Sequence, residues 1–449
     1  MKIIDRTLGM CPKCMVWVKS QVIDRDGEVF LQKICPEHGM TEMLLCKDAA
    51  HFSSLRDFYF KTHNKIFSQT RYLCFLTPQC NLSCPICFLD PHSGHRQDVN
   101  IEDLRVKLKD NKQELILFGA EPACRDDLFE VIAYLRERQH SVSFYTNGIR
   151  LADYRYCEKI KEAKIDKVYL QFDGFDDKVY EILRGKKLVD IKSKVLDNLK
   201  QLNLPVVLDV TVVKGLNDDE VGKVFDFSMA NDFIRAVNLI AYVRSGGGGD
   251  YLSECSTMPD DIIEYMSKYT GGRISREKIR VFQKLLYVYM AFLKRRTCFY
   301  IQYFWVYRCA DGKYITLNEI LDFTVLEKVL DRYLSIDIRM GRLLAILYLS
   351  LSLPRLIFAV KNIRLFFELI KMAFAHSFNK GEYASKSSKF LQLIFTTACD
   401  PHKSDMKIVE RCHVGIIYKN GQGNLNVDDE NGRYLLNQEI LSKQKAGIV

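Results

Sequence analysis

The sequence predicts an α/β chain: a parallel sheet of six βα units, open or curled into a partial barrel, preceded by a small metal-stapled unit and followed by a mostly helical region. Three observations predict this. Six short apolar runs between Arg71 and Val243 alternate with amphipathic stretches at the spacing of βα units. Two cysteine knuckles flank a hairpin pattern within the first fifty residues. Beyond Ser245, four glycines at 246–249 give way to long aromatic stretches of helical period. The expected units are 1–50, a linker helix within 51–69, the βα region 70–250, a helical region 251–395 and a cysteine-containing tail 396–449. A chain of 449 residues, 48% apolar, is long enough for more than one core, and global disorder is excluded.

In the N-terminal unit, Val16, Val18, Val22 and Ile23 precede the turn dipeptide Asp26-Gly27, and Val29, Phe30 and Leu31 follow it. Around this hairpin lie Cys11-Pro-Lys-Cys14 and Cys35-Pro-Glu-His38, an arrangement like that of zinc ribbons and rubredoxins. Cys11, Cys14, Cys35 and His38 would close a tetrahedron around structural zinc, with iron the competing metal and Cys46 an alternative to His38. The N-terminus lacks the apolar core of a secretion signal, so the fifteen cysteines read as reduced, cytoplasmic and partly metal-bound.

The six expected strands are Tyr72–Leu76, Glu114–Phe118, Ser141–Tyr145, Lys167–Phe172, Val206–Val213 and Ala236–Val243. Helical patterns fall between them at Ile101–Asp110, Asp126–Gln139, Tyr154–Ala163, Ile191–Leu202 and Asp219–Asn231. In such a sheet the reactive groups belong on the loops after the strands. Cys80, Cys84 and Cys87 follow the first strand, Gly119-Ala120-Glu121-Pro122 the second, Thr146-Asn147-Gly148 the third, Asp173-Gly174 the fourth and Asn217 the fifth. Three thiolates spaced x3 and x2 on one loop can hold three irons of a [4Fe–4S] cluster and leave the fourth open to a chelator. Structural zinc, with His92 or His95 as a fourth ligand, is the competing reading. Thr146, Asn147, Gln171, Asp173, Asp209 and Asn217 sit where ligand contacts arise, although the same residue types also cap helices.

Cys80-x3-Cys84-x2-Cys87 after the first strand, Gly-Ala-Glu-Pro after the second and six βα units together resemble the radical S-adenosylmethionine (SAM) superfamily. The resemblance implies a partial (β/α)6 barrel in which SAM chelates the open iron and Gly119, Ala120, Glu121 and Pro122 face its ammonium group. It also implies reductive cleavage of SAM and hydrogen abstraction from an unactivated carbon by the resulting 5′-deoxyadenosyl radical. CPKC, ICPEHG, TPQCNLSCPICF, LQFDGFDDKVYEILRGKKL and VLDVTVVKGLNDDEVG are further similar to the tetraether lipid synthase subfamily, some members of which are described as pterin methyltransferases. This similarity runs from about residue 10 to about residue 275, and the C-terminal third diverges. There VFQKLLYVYM stands where the subfamily carries a cysteine pair; Cys298, Cys309, Cys399 and Cys412 remain as candidate ligands of an auxiliary cluster, or as scattered buried thiols.

The apolar stretch Leu343–Val360, interrupted by Pro354 and Arg355, is too short to span a membrane and reads as a buried or interfacial helix pair. The next segment carries Lys361, Arg364 and Lys371 among aliphatics and phenylalanines, a pattern that suits either packing on the barrel or peripheral contact with an anionic inner-membrane surface. A net charge of +9 is spread too evenly to mark a nucleic-acid stripe, and no nucleic acid is expected. The leading expectation is radical chemistry on a lipid chain, forming a carbon–carbon bond or transferring methyl. A pterin-like or peptide substrate is the alternative, and a degenerate metal-binding homologue the non-catalytic one. The first two need an external one-electron reductant such as flavodoxin or ferredoxin and an anaerobic setting.

Overall fold

The computed structural model describes residues 1–14, 16–63, 71–87, 89, 96–108, 113–243, 252, 257–295, 297–340, 342–378, 389–397, 400–412, 414–420, 422–423 and 425–428. Cys399, His92, His95 and the glycines at 246–249 lie outside the described residues.

Strands β1 (Lys2–Met10), β2 (Trp17–Arg25), β3 (Glu28–Cys35) and β4 (Gly39–Cys46) form an antiparallel meander. The β2–β3 turn holds Asp26 and Gly27 at φ of 53° and 88°, the left-handed pair that a tight hairpin requires. Val22, Val29 and Leu31 pack on Phe52, Leu55, Phe58 and Tyr59 of the helix Ala49–Thr62, whose N-terminus is capped by the Asp48 carboxylate.

The larger sheet is built on β5 (Arg71–Thr77), β7 (Glu114–Gly119), β8 (Ser141–Thr146), β9 (Lys167–Gln171), β10 (Val206–Val212) and β11 (Ile234–Ala241), with the two-residue strand β6 (Arg96–Gln97) between β5 and β7 in the chain. These six are parallel and neighbour one another in chain order, the singly wound topology of a partial (β/α)6 barrel. Side chains alternate across it. Cys74, Leu117, Phe144, Leu170 and Leu208 join the helices in the main core, whereas Leu73, Phe75, Ile116, Phe118, Tyr145 and Tyr169 cluster on the inner face. At the N-terminal ends of the strands, Glu114 ties β7 to Arg71 of β5 and Lys167 of β9 by ion pairs of 2.8 and 3.6 Å.

The C-terminal third is largely helical (Pro259–Tyr269, Arg276–Phe292, Phe323–Met340, Arg342–Phe358, Ile363–Phe378), but it also returns five strands to the sheet. These are β12 (Gln302–Arg308), β13 (Tyr314–Thr316), β14 (Phe390–Thr397), β15 (Gly415–Asn420) and β16 (Leu425–Asp428). β14 lies parallel beside β11 and carries β12 and β13 beyond it; β15 lies parallel beside β5 and carries β16. Both edges of the six-stranded sheet are thereby covered, which removes two rows of open backbone groups. The expected helix pair at Leu343–Val360 is instead one helix to Phe358 that continues through Pro354. Proline there costs one backbone hydrogen bond to the carbonyl of Ser350, and both residues are exposed, so water can satisfy that oxygen.

Candidate active site

The three loop cysteines leave β5 together. The Cys87 amide donates to the Cys84 carbonyl at 3.0 Å, and the Leu82 amide donates to Cys80 Sγ at 3.4 Å. Burial pushes the Cys80 thiol up to about 12, reinforced by the negative charges of Glu121, Cys84 and Cys87. A half-buried thiol held up in this way gives up its proton near neutral pH when a cationic metal takes the proton's place.

Glu121 stands 1% exposed behind this loop. Its carboxylate accepts from the Asn147 amide (2.6 Å), Thr146 Oγ1 (2.8 Å) and the Ala123 amide (3.0 Å), so one side chain joins the loops after β7 and β8. Burial nevertheless holds its pKa above the ordinary value. The Ala120 amide donates to the Thr77 carbonyl and the Glu121 amide to that of Gln79, both at 2.9 Å. Gly119 takes φ 144°, and a Cβ there would lie 2.4 Å from the Thr77 carbonyl oxygen. Glycine at 119 is thus required by the approach of the second loop to the first.

Asn147 extends the network, with Nδ2 donating to Asn81 Oδ1 at 2.7 Å and lying 4.0 Å from Cys80 Sγ. Asp173, fully buried, accepts from Arg184 Nε and Nη2 at 2.7 and 2.9 Å, and Arg184 Nη2 also donates to Thr211 Oγ1 while interacting electrostatically with Cys84. Lys192 Nζ donates to the Asn147 carbonyl, the Gln171 carbonyl and Gln171 Oε1 at 2.6, 2.6 and 2.7 Å. Burial drives its pKa down to about 7, with the Arg184 charge adding to the depression and Asp173, Glu121 and Cys84 opposing it. Two buried basic side chains therefore back the cysteine loop. Neither was among the expected site residues. Lys192 had a readable signal, because it opens the buried stripe Lys192, Val195, Leu196, Leu199 of the helix Val189–Gln201. Arg184 had less: it precedes Gly185, whose left-handed φ of 75° closes the helix Asp177–Arg184, an element absent from the expected set.

The other expected residues divide. Gln171 sits at the end of β9 in register with Asp209 of β10, which pairs with Asn238 of β11; Asn238 Nδ2 donates to Asp209 Oδ1 at 2.8 Å. These form a polar row across the sheet. Asn217, fully buried, donates to the carbonyls of Asp173 and Thr211 and accepts from the Val213 amide, fastening the loop after β10 to the end of β9.

The N-terminal ligands also converge. The ligand atoms of Cys11, Cys14, Cys35 and His38 all lie within 4.8 Å of one another, a spacing that suits a single ion. Burial raises the Cys11 thiol, but the Cys14 and Lys13 amides and the adjoining thiols outweigh it and hold the group down to about 7. Cys46 turns instead to the Asp48 carbonyl and is not in this group.

Among the described residues, Cys298, Cys309 and Cys412 form no metal-ligand group; Cys399 lies outside them. Cys298 and Cys412 both act electrostatically on Tyr59. Cys309 follows β12 and neighbours Asp311 and Arg273, with the seven-residue strand, roughly 20 Å long, between it and Cys298.

Residues 74–228 match the family model of the Radical SAM superfamily, a span that begins in the cysteine-bearing strand and ends in the helix Glu220–Ala230. Over that span the chain matches the radical SAM superfamily. Residues 3–47, the meander, match a second model, the HMPTM N-terminal zinc ribbon domain. Among curated proteins, the chain is 33% identical over 304 residues to the 7,8-dihydro-6-hydroxymethylpterin dimethyltransferase of Methanocaldococcus jannaschii, covering 61% of this chain and 60% of that one. It is 32% identical over 157 residues to a probable GTP 3′,8-cyclase of Pyrococcus horikoshii, covering 34% and 50%. The chain thus spans half to three-fifths of the length of these relatives. Among solved structures, Streptococcus suis SuiB bound to precursor peptide SuiA aligns with a TM-score of 0.40 and 15% identity, covering 61% of this chain and 70% of that one. The radical SAM match implies a [4Fe–4S] cluster and SAM for residues 74–228, and the ribbon match with its Cys/His group implies a structural metal. The donor set fits: three thiols on one loop without a fourth in the motif for the cluster, and a closed Cys3His group for zinc.

Proposed function

We propose that this radical SAM chain modifies an unactivated carbon of a pterin-like small molecule, by methyl transfer or carbon–carbon bond formation. The observation that supports this most directly is the joint presence of the ribbon and the radical SAM segment, since the relative aligned over 304 residues carries a pterin substrate in its name. The GTP cyclases are likewise named for a fused-ring substrate. The lipid chain expected from sequence has weaker support, because neither relative is named for a lipid.

When bound, the cluster supplies the electron that cleaves SAM and yields the 5′-deoxyadenosyl radical. In this reading Cys80, Cys84 and Cys87 hold it, and Glu121 and Lys192 fix the loops around it rather than react. Arg184 offsets the charge of the thiolates. Gly119–Pro122, Thr146 and Asn147 border the SAM position. Asp209 and Asn238 present carboxylate and amide groups to the substrate, while the Gln171 amide is spent on Lys192 and Asp173. A carboxylate such as Asp209 can accept two parallel N–H bonds from the amidine edge of a pterin, so Asp209 is assigned to substrate orientation. An external one-electron reductant completes the system.

The test is anaerobic reconstitution with iron and sulfide, followed by SAM and dithionite, with 5′-deoxyadenosine read by mass spectrometry. Formation by the wild-type chain and its loss in Cys84→Ala are expected; formation untouched by that substitution overturns the reading. Adding 7,8-dihydro-6-hydroxymethylpterin should yield a methylated or coupled product, and Asp209→Asn should raise the pterin concentration needed while leaving uncoupled SAM cleavage intact. Products found only on acyl chains would restore the lipid substrate.

A further inference from the structure

The helix Arg342–Phe358 is apolar on both faces, yet among the described residues only one face is packed. Ala345, Ser352 and Ala359 are buried, and Tyr348, Leu349 and Leu356 pack toward the core formed with the helix Phe323–Met340. On the other side Leu343, Leu347, Leu351 and Phe358, spaced four and seven apart, are 85%, 52%, 71% and 90% exposed. Ile363 and Phe367, at the start of the next helix, continue the surface at 55% each. Uncovered apolar area on this scale marks a surface that meets something other than water.

Charge identifies the partner. From Leu343 to Arg364, the span that bears this face, the chain carries three cations (Arg355, Lys361, Arg364) and no carboxylate. Arg355 and Arg364 are exposed; Lys361 pairs with Asp322 and Lys371 with Glu368, each at 3.6 Å. Among the described residues no helix is long and apolar enough to cross a membrane. A second copy of the chain apposed face to face would bring like charges together, whereas anionic lipid headgroups meet the cations while the acyl boundary takes the leucines and phenylalanines. We propose that this face docks on an anionic bilayer, lying in its surface. The proposal stands apart from the identity of the substrate.

The test is co-sedimentation of the full-length, anaerobically reconstituted protein with vesicles of phosphatidylglycerol and phosphatidylcholine, or of phosphatidylcholine alone. Binding to the anionic vesicles at least about tenfold above the neutral ones, weakening with salt, is expected. The triple variant Leu347→Glu/Leu351→Glu/Phe358→Glu should remain in the supernatant. Phe358→Glu alone, at the most exposed position, should weaken binding if the triple variant loses its circular dichroism signal. Wild-type protein that ignores anionic vesicles, or variants that bind as it does, overturn the proposal. So does a wild-type dimer in light scattering that Phe358→Glu converts to monomer, which would give the face to a second copy.

Discussion

Glu121 accepts three hydrogen bonds while nearly inaccessible to water, so its removal should be felt in the fold before any chemistry is measured. Glu121→Ala strands buried donors at Ala123, Thr146 and Asn147 and is expected to cost about 1–3 kcal/mol in urea unfolding of the metal-free protein, with Glu121→Gln costing less because one acceptor oxygen survives. His63 supplies a pH signature. It is 3% exposed, stacks on Tyr59 at 5.0 Å, and burial lowers its pKa from 6.5 to about 4. Because the unfolded chain takes up the proton first, stability is full above pH 6.5 and falls as pH drops toward 4, by about 1.4 kcal/mol per unit and about 3 kcal/mol in all. His63→Phe should flatten that limb in pH-dependent urea denaturation. At this scale the sequence exposes residues whose spacing carries their chemistry, such as Cys80, Cys84 and Cys87. It conceals Arg184 and Lys192, whose meaning depends on which carbonyls and carboxylates the fold brings within 3 Å of them.

The N-terminal meander is small enough to depend on its metal. Cys35→Ser, which removes one of four ligands within 4.8 Å, should lower bound zinc measured by plasma mass spectrometry and produce an early unfolding step in calorimetry. In the barrel, Gly119→Ala forces a Cβ against the Thr77 carbonyl at a φ that L residues avoid; a loss of about 1–3 kcal/mol in urea unfolding and reduced iron retention are expected. The six parallel strands and the β2–β3 hairpin were legible because apolar runs, amphipathic stretches and Asp-Gly follow regular periods. β12 and β14 were not. Their aromatic and aliphatic runs lie in a region of helical period, and what makes them strands is the open edge of β11, a partner far away in sequence. Pro354 misled for a related reason: an exposed helix tolerates a missing backbone bond that a buried one does not.

Across the whole molecule, the ribbon, its following helix and the C-terminal segment are joined at Arg56, which pairs with Asp5 at 2.8 Å and with fully buried Asp405 at 2.6 Å, while Lys407 pairs with Asp5 at 2.7 Å. Arg56→Met leaves the Asp405 carboxylate buried beside no cation from this helix, and a destabilisation of about 3–5 kcal/mol in urea unfolding is expected, larger than any other substitution named above. Such long-range ties were beyond sequence reading, since Asp5, Arg56 and Asp405 each look like ordinary surface charges until the fold collects them. The pairing of β15 with β5 reaches further still. The strand that delivers the cysteine loop keeps one edge open while the ribosome makes everything between Thr77 and Gly415, and closing it is a contact of very high order. The cysteine loop thus hangs from the first barrel strand made, while the second edge of that strand is closed by a segment made more than three hundred residues later.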